Sequence, residues 1–492
     1  MDLQWRIAAA AVTCAMLAGC AVGPDFRTPK PPDVQAYTPI PLPTATVAAP
    51  VSGGDVQRFI AGQDIPGEWW SLFRDEGLDR LIRRGLAESP TLAAAEATLR
   101  QARENLSALV GSAFYPSFDA DISAERQQIS GASFGQPNST FSPFTLYNAS
   151  VRVSYVLDLF GGARRAVEGL EAQLDFQRFQ LEGAYLSLTA NIVTAAVKEA
   201  ALRAQVRVTR DILALQDKQL ALVEEQFRLG GVARSDILAQ QAELAQIRTT
   251  LPPMEKELGQ TRHQLAVLSG RFPSDADLPA FDLEKLRLPQ ELPVSLPSSL
   301  VRQRPDIRAA EALLHAASAQ VGVATANLYP QLTLTGSLGS ETAELGNIFS
   351  AGSAVWSLGA GLLQPLFHGG ELNARRRAAV AAYDQAAALY RETILQAFRN
   401  VADVLRALDS DAATLKAQAE AEAAARDTFE LTRQQFQLGA VTYLSLLNAE
   451  RQYQQARISL VQAQAARFAD TAALFQALGG GWWNRETWRT IR

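Results

Sequence analysis

Sulfur and imidazole are scarce in this 492-residue chain, which has two Cys, three Met and three His. Cys14 and Cys20 both lie near the N-terminus. No disulfide framework can therefore staple the body, and no thiol is left for redox or nucleophilic work. His263, His315 and His368 are scattered, with no second ligand at metal spacing, so they outline no metal centre. Three Met are too few for a soft-metal relay. The net charge of -5 is modest and no basic tract interrupts it, which argues against nucleic acid as a partner. Gly479-Gly480-Gly481 lacks the Lys and the following helix of a phosphate loop. No paired acids, Ser/His pair or metal cluster stands at catalytic spacing. An enzymatic role is not expected.

The N-terminus reads as an address rather than as fold. Arg6 gives a short basic flank, and the apolar run from Ile7 to Leu17 is too short for a permanent span. It ends in Leu17-Ala18-Gly19-Cys20, which resembles a bacterial lipobox, with residues 1–19 as signal peptide and Cys20 as the lipidated first residue. An ordinary signal peptide that contains a Cys is the alternative. Each buried methylene of an acyl chain contributes about 0.8 kcal/mol, so several chains on Cys20 would hold the protein at a membrane. Residue 21 is Ala, not the Asp that retains this class of lipoprotein at the inner membrane, which favours the outer one. The covalent lipid is the only attached group expected; no cofactor is. Residues 20–66 are rich in Pro, Thr, Ala and Val and read as an extended tether.

The body repeats itself. Ser89-Pro90-Thr91-Leu92 returns as Arg304-Pro305-Asp306-Ile307, and Phe114-Tyr115-Pro116 as Leu328-Tyr329-Pro330. Leu159-Phe160-Gly161-Gly162 returns as Leu366-Phe367-His368-Gly369-Gly370, and Gln226-Phe227-Arg228-Leu229-Gly230 as Gln435-Phe436-Gln437-Leu438-Gly439. The offset of about 210 residues is too long for a solenoid unit, so each half is a whole structural block. The first covers 67–290 and the second 291–478, with 479–492 as a C-terminal tail whose Trp482, Trp483 and Trp488 are expected to pack around an equatorial belt rather than to bind a ligand.

Four segments alternate apolar and polar residues, the strand signature. They lie near 117–127, 145–157, 331–339 and 353–366. Within each segment the apolar residues (Phe118 and Ile122, Val151, Leu338, Trp356) face one way and the polar ones (Asp119 and Asp121, Arg152, Ser337, Ser357) the other. Each segment is about the length of a tilted membrane strand. Four strands cannot close a barrel, and open edges in lipid leave backbone groups unsatisfied at several kcal/mol each. Two copies would give a filled barrel; three would give about twelve strands with room for water. The linker 131–143, rich in Ser, Gly, Asn and Pro, reads as an outward loop.

The helices are very long. Glu371 to Leu438 contains neither Gly nor Pro, about 100 Å of helix at 1.5 Å per residue. Long helices are expected over 161–229, 234–270, 371–438 and 442–478, with a shorter one over 305–328. Ile394, Phe398, Val401, Leu405, Leu408, Ala412, Leu415 and Ala419 keep a 4-3 spacing, a left-handed coiled-coil seam. Leu229-Gly230-Gly231-Val232 and Leu438-Gly439-Ala440-Val441 read as hairpin tips closed by glycine C-caps. Ser235 or Thr442 is expected to cap the returning helices, and Asp236 reads as an ordinary first-turn acid. Arg375-Arg376-Arg377 reads as a solvated helix face that can meet lipid phosphates.

These pieces, in this order and doubled, resemble the TolC-type outer-membrane efflux factors, in the lipoprotein branch of OprM- and NodT-like proteins. The resemblance rests on Cys20 followed by Val22-Gly23-Pro24-Asp25-Phe26, and on Trp69-Trp70 leading into Leu78-Asp79-Arg80-Leu81-Ile82. It continues through the Tyr-Pro pairs, Leu265-Ala266-Val267-Leu268-Ser269-Gly270, the paired tips and Ala477-Leu478-Gly479-Gly480-Gly481-Trp482. It implies an α+β membrane protein, a homotrimer sharing one twelve-stranded barrel and a tube of twelve helices. Such a trimer receives substrates from a periplasmic adaptor (membrane fusion) protein and an inner-membrane pump, with the two tips as the docking surface. It also implies a periplasmic gate at Leu444, Asn448 and Arg451. The family pattern there carries Asp where this chain has Asn448, which puts a cation-binding ring in doubt. A cell-wall enzyme, a coiled-coil spacer and a stand-alone porin are the rivals; each leaves the strands, the hairpins or both unused.

Overall fold

The computed structural model describes residues 21–485 except 42, 131, 133–134, 136–139, 141 and 275–276. Cys20, Trp488 and most of the 131–143 linker thus lie outside the described residues. In chain order the elements are β1 (Arg58–Ala61), α1 (Glu76–Glu88), α2 (Pro90–Phe114), β2 (Ser117–Gln127), β3 (Phe144–Leu157), α3 (Gly162–Arg228) and α4 (Arg234–Leu268). There follow β4 (Glu291–Val294), α5 (Pro297–Gln303), α6 (Pro305–Ala326), β5 (Gln331–Thr342), β6 (Ala354–Leu363), α7 (Glu371–Gln437) and α8 (Tyr443–Ala477). The duplication is metrical: α3 and α7 each have 67 residues, α4 and α8 each 35. Pro90 and Pro305 each open a helix, where the missing N–H costs nothing.

The chain divides into two compact units, and neither is a repeat. One takes Thr98–Gln177 and Ala309–Tyr390 with the N-terminal segment to Pro29; the other takes Lys30–Ala97, Arg178–Arg308 and the chain from Arg391. The expected sequential blocks are therefore cut across, because the strand pairs of both repeats join one sheet.

In the first unit that sheet has the order β2-β3-β5-β6, antiparallel throughout. Phe118 lies opposite Val153, Val153 opposite Gly336, and Gly336 opposite Leu358, so the repeats are stitched by β3 and β5. The apolar face is bare: Phe118, Ile122, Leu338, Trp356, Leu358 and Leu362 are all exposed. On the other face Asn148 donates to Asp121 at 2.8 Å and Ser337 meets Ser357 at 2.8 Å. Strand β5 runs three residues beyond the expected end at 339, and β6 stops three short of 366. Pro365 ends β6, since it has no N–H for the ladder.

The second unit is built on aromatic packing. Trp69, Trp70, Phe73, Phe281, Phe468 and Phe475 are buried, with Trp69 stacked on Phe475 at 5.2 Å. The expected tether is corrected here, because its second half is docked. Strand β1 pairs in parallel with β4. Arg467 is fully buried and donates to Gly53 O at 2.9 Å, Asp55 O at 3.2 Å and Gln57 Oε1 at 2.8 Å. A buried guanidinium needs acceptors, and residues 53–57 supply three of them to its Nη atoms. Trp482 is buried and donates to Gln303 O. The seam on α7 is real: Ile394, Val401, Leu405, Leu408, Ala412, Leu415 and Ala419 are buried, while Phe398 is half-buried against Tyr37.

Candidate functional site at the hairpin tips

Both hairpins close in the same way, and both tips belong to the second unit. Gly230 and Gly439 have φ of 78° and 73°. Gly231 donates to Gln226 O at 2.8 Å and Ala440 to Gln435 O at 2.9 Å, each satisfying an orphan carbonyl. Nothing crowds either glycine, so only the left-handed backbone demands it. Gly439→Val is expected to destabilise the turn by about 1–2 kcal/mol, seen as faster hydrogen exchange confined to the tip. Leu229 and Leu438 are 77% and 85% exposed, apolar tips with nothing over them in one chain. Gly230, Gly231, Gly439 and Ala440 are exposed too, while Val232 and Val441 are half-buried beneath them.

The two returning helices start differently. Thr442 caps α8, accepting from Ser445 N. Ser235 does not cap α4; it lies inside the first turn, and Ala233 holds the cap position. Asp236 compensates as a first-turn acid, its Oδ2 accepting from Ala233 N at 3.1 Å.

Below the tips Val223, Phe429, Tyr443, Leu446, Leu447 and Ala449 make a core that joins the two hairpins. Polar links cross it. Tyr443 donates to Gln240, and Gln240 donates to Gln216 O at 3.3 Å. Arg451 donates through Nε to Glu243 Oε2 at 2.6 Å. Glu243 is 6% exposed and Arg451 54%, so a buried carboxylate is reached by a half-exposed cation. Glu450 is 1% exposed, and both of its carboxyl oxygens are sealed from water. Burial pushes its carboxyl up to about 7; the Glu243 charge adds to this, while the Gln216 and Gln454 amides oppose it. Burial likewise raises the Tyr443 phenol well above its usual range.

Of the three gate residues suggested by the sequence, the fold aligns all and joins none to another. Leu444, Asn448 and Arg451 are all exposed on α8, and their i, i+4, i+7 spacing puts them on one face. Arg451 is committed sideways to α4. Gln240, Glu243 and Glu450 were missed, for they look like ordinary surface positions of polar helices. The one available signal was Gln240 and Glu243 at i, i+3, facing the Tyr443–Arg451 segment. Among the described residues no group of three or more His, Cys, Asp or Glu could hold a metal. Among them, too, no helix is long and apolar enough to cross a membrane.

The family profile described as "Outer membrane efflux protein" matches residues 81–271 and 296–480, one block per repeat. The chain belongs to that family. Among its relatives is the pyoverdine export outer membrane protein OpmQ of Pseudomonas aeruginosa, 33% identical over 90% of this chain and 94% of OpmQ. The probable outer membrane lipoprotein SilC of Salmonella typhimurium is 27% identical over 96% of this chain and 97% of SilC. The solved outer-membrane channel OprN superposes with a TM-score of 0.84 at 28% identity, covering 94% of this chain and all of OprN's. The outer membrane efflux protein described here is accordingly an outer-membrane channel for efflux, resident in the bacterial outer membrane.

Proposed function

We propose that three copies of this outer membrane efflux protein close one barrel of twelve strands and one tube of twelve helices. In this reading Cys20 carries the lipid anchor, and substrates pass outward from a periplasmic adaptor and an inner-membrane pump. The chain acts passively, with no catalysis and no cofactor besides the covalent lipid. The observation that carries the reading is the sheet: β2 and β6 are unpaired edges, and the apolar face is bare. An open sheet in lipid is untenable, and closure with further copies removes both edges. The hairpin tips, with Leu229 and Leu438 exposed, suit an adaptor that docks on apolar knobs.

Electron microscopy of the detergent-extracted protein tests this. The expected result is a hollow threefold cylinder roughly 130–150 Å long, about 100 Å of helix plus the membrane part. A compact solid monomer would overturn it.

In the same reading Leu444, Asn448 and Arg451 form the periplasmic gate. Leu444 is 63% exposed on a polar face, and packing against its symmetry mates would cover it. Three Asn at position 448 bring hydrogen bonds to the axis without charge. Asn448→Asp is expected to lower the concentration of a trivalent cation that halves the single-channel current by about tenfold, because a ring of carboxylates concentrates cations. Equal block in both proteins would remove Asn448 from the constriction.

A further inference from the structure

The segment that follows Cys20 is held against the body by contacts that sequence reasoning did not foresee. All of them lie in the first unit. Val22 N donates to Phe160 O at 3.0 Å, at the turn between β3 and α3. Arg165 is buried on the first turn of α3, and its guanidinium meets three acceptors. Nε reaches Val22 O at 3.3 Å, Nη2 the carboxylate of Asp25 at 2.5 Å, and Nη1 that of Glu168 at 2.7 Å. Glu168 also meets His315 Nε2 at 2.9 Å, and the His315 ring stacks on Phe26 at 4.3 Å. Asp25, Arg165, Glu168, His315 and Phe26 thus close a ring of contacts around the segment.

The backbone is fitted to the same place. A Cβ on Gly23 would stand 2.5 Å from the Cα of Gly322 on α6, and Gly23 has φ of 97°. A Cβ on Gly161 would stand 2.5 Å from Ala21 Cα. Two glycine contacts therefore let the segment lie directly on the strand–helix junction.

The second repeat makes the same turn without this cover. Phe160 is half-buried, whereas its counterpart Phe367 is 87% exposed. Gly161 is buried, whereas Gly369 and Gly370 are exposed. The cover is therefore specific to one copy of a duplicated turn, not a requirement of the turn itself.

We propose that Arg165, Glu168 and His315 form a seat for Ala21–Phe26 that fixes where the lipid of Cys20 enters the membrane, beside the turn that follows β3. A free tether would let the acyl chains wander by the length of the Pro-rich segment. The seat holds them at the junction, so the lipid and the strand pairs meet the same bilayer surface during insertion. Seating, beyond acylation itself, then speeds assembly of membrane-embedded oligomers. The idea rests on Cys20 being lipidated.

The test uses the full-length protein with Asp25→Ala, Asp25→Glu and Thr28→Cys. The Asp25 side chain is 86% exposed on a segment outside every helix, so its truncation leaves the packed body intact. Three things are read: acylation of the N-terminal peptide by mass, mobility of a nitroxide on Thr28→Cys, and the rate at which heat-resistant oligomers appear in the outer membrane. Asp25→Ala is expected to remain acylated, to raise the mobile fraction of the label about tenfold, and to slow oligomer appearance. Tenfold is what losing one charge-assisted hydrogen bond implies. Asp25→Glu is expected to keep the wild-type label spectrum. An Asp25→Ala protein with an immobile label, or with a mobile label and the wild-type rate, overturns the seat. An unmodified Cys20 in the parent protein instead overturns the lipid reading, and the label result still reports on the seat.

Discussion

Glu199→Ala is expected to destabilise the second unit by about 3 kcal/mol. Glu199 is on α3 and its side chain is 0% exposed. Its Oε1 accepts from Arg203 and from Arg262 Nη1, the latter at 3.0 Å, and its Oε2 accepts from Phe281 N at 3.1 Å. One carboxylate thus ties α3 to α4 and to the loop after α4. Removing it orphans the buried Phe281 N–H and takes the shared carboxylate from two partly exposed arginines, Arg203 and Arg262.

The neighbouring residue provides the comparison. Lys198 pairs with Glu257 at 2.7 Å, but both side chains are about half exposed. An exposed pair contributes about 0.5 kcal/mol, so Lys198→Ala should be nearly silent. Urea unfolding in detergent, with Glu199→Gln as the variant that keeps one acceptor for Phe281 N, checks both. Equal shifts for Lys198→Ala and Glu199→Ala would mean that burial does not set the difference.

Raising the pH from 5 to 8 is expected to loosen the hairpin tips, through Glu450. Its carboxyl is raised from an ordinary value near 4.5 to about 7. A raised acid favours the packed state while it is neutral. The contribution is therefore complete below about 4.5 and lost as the pH climbs through about 7. The ceiling is about 3 kcal/mol, from the size of the shift. Gln216 on α3, Glu243 and Gln240 on α4, and Tyr443, Arg451 and Gln454 on α8 surround it, and Arg451 is already occupied by Glu243. No cation among these is free to take the Glu450 charge. Hydrogen exchange across 443–455 should accelerate with pH beyond its intrinsic chemical trend in the parent protein, and lose that excess in Glu450→Gln. Matching profiles in the two proteins would end this explanation.

The gate and the seat show how far the chain could be read without its fold. Period-two alternation placed all four membrane strands, because a strand's facing is fixed by parity within a few residues. The 4-3 spacing on α7 and the glycine tips are equally local, and each lies where the sequence put it. The family resemblance named Leu444, Asn448 and Arg451 but not their partners. Glu243 lies 208 residues from Arg451, and Asp25 lies 140 from Arg165; neither pairing leaves a trace in spacing.

Helix α4 shows the opposite case, in which local chemistry is overridden. Pro252 and Pro253 sit inside it, at a cost of about 3 kcal/mol each in an isolated helix. The helix continues because α3 holds it on both sides of the prolines. Arg210 binds Glu255 at 2.7 Å, Arg248 binds Asp217 at 2.8 Å, and Ile247 packs on Val208 and Ile212. The sequence alone determined the doubled order of strands and hairpins, since side-chain periodicity and turn chemistry act over a few residues. Only the tertiary structure decided which carboxylate is buried, which arginine meets it and which copy of a repeated turn is covered, since these depend on how helices about 100 Å long register against one another.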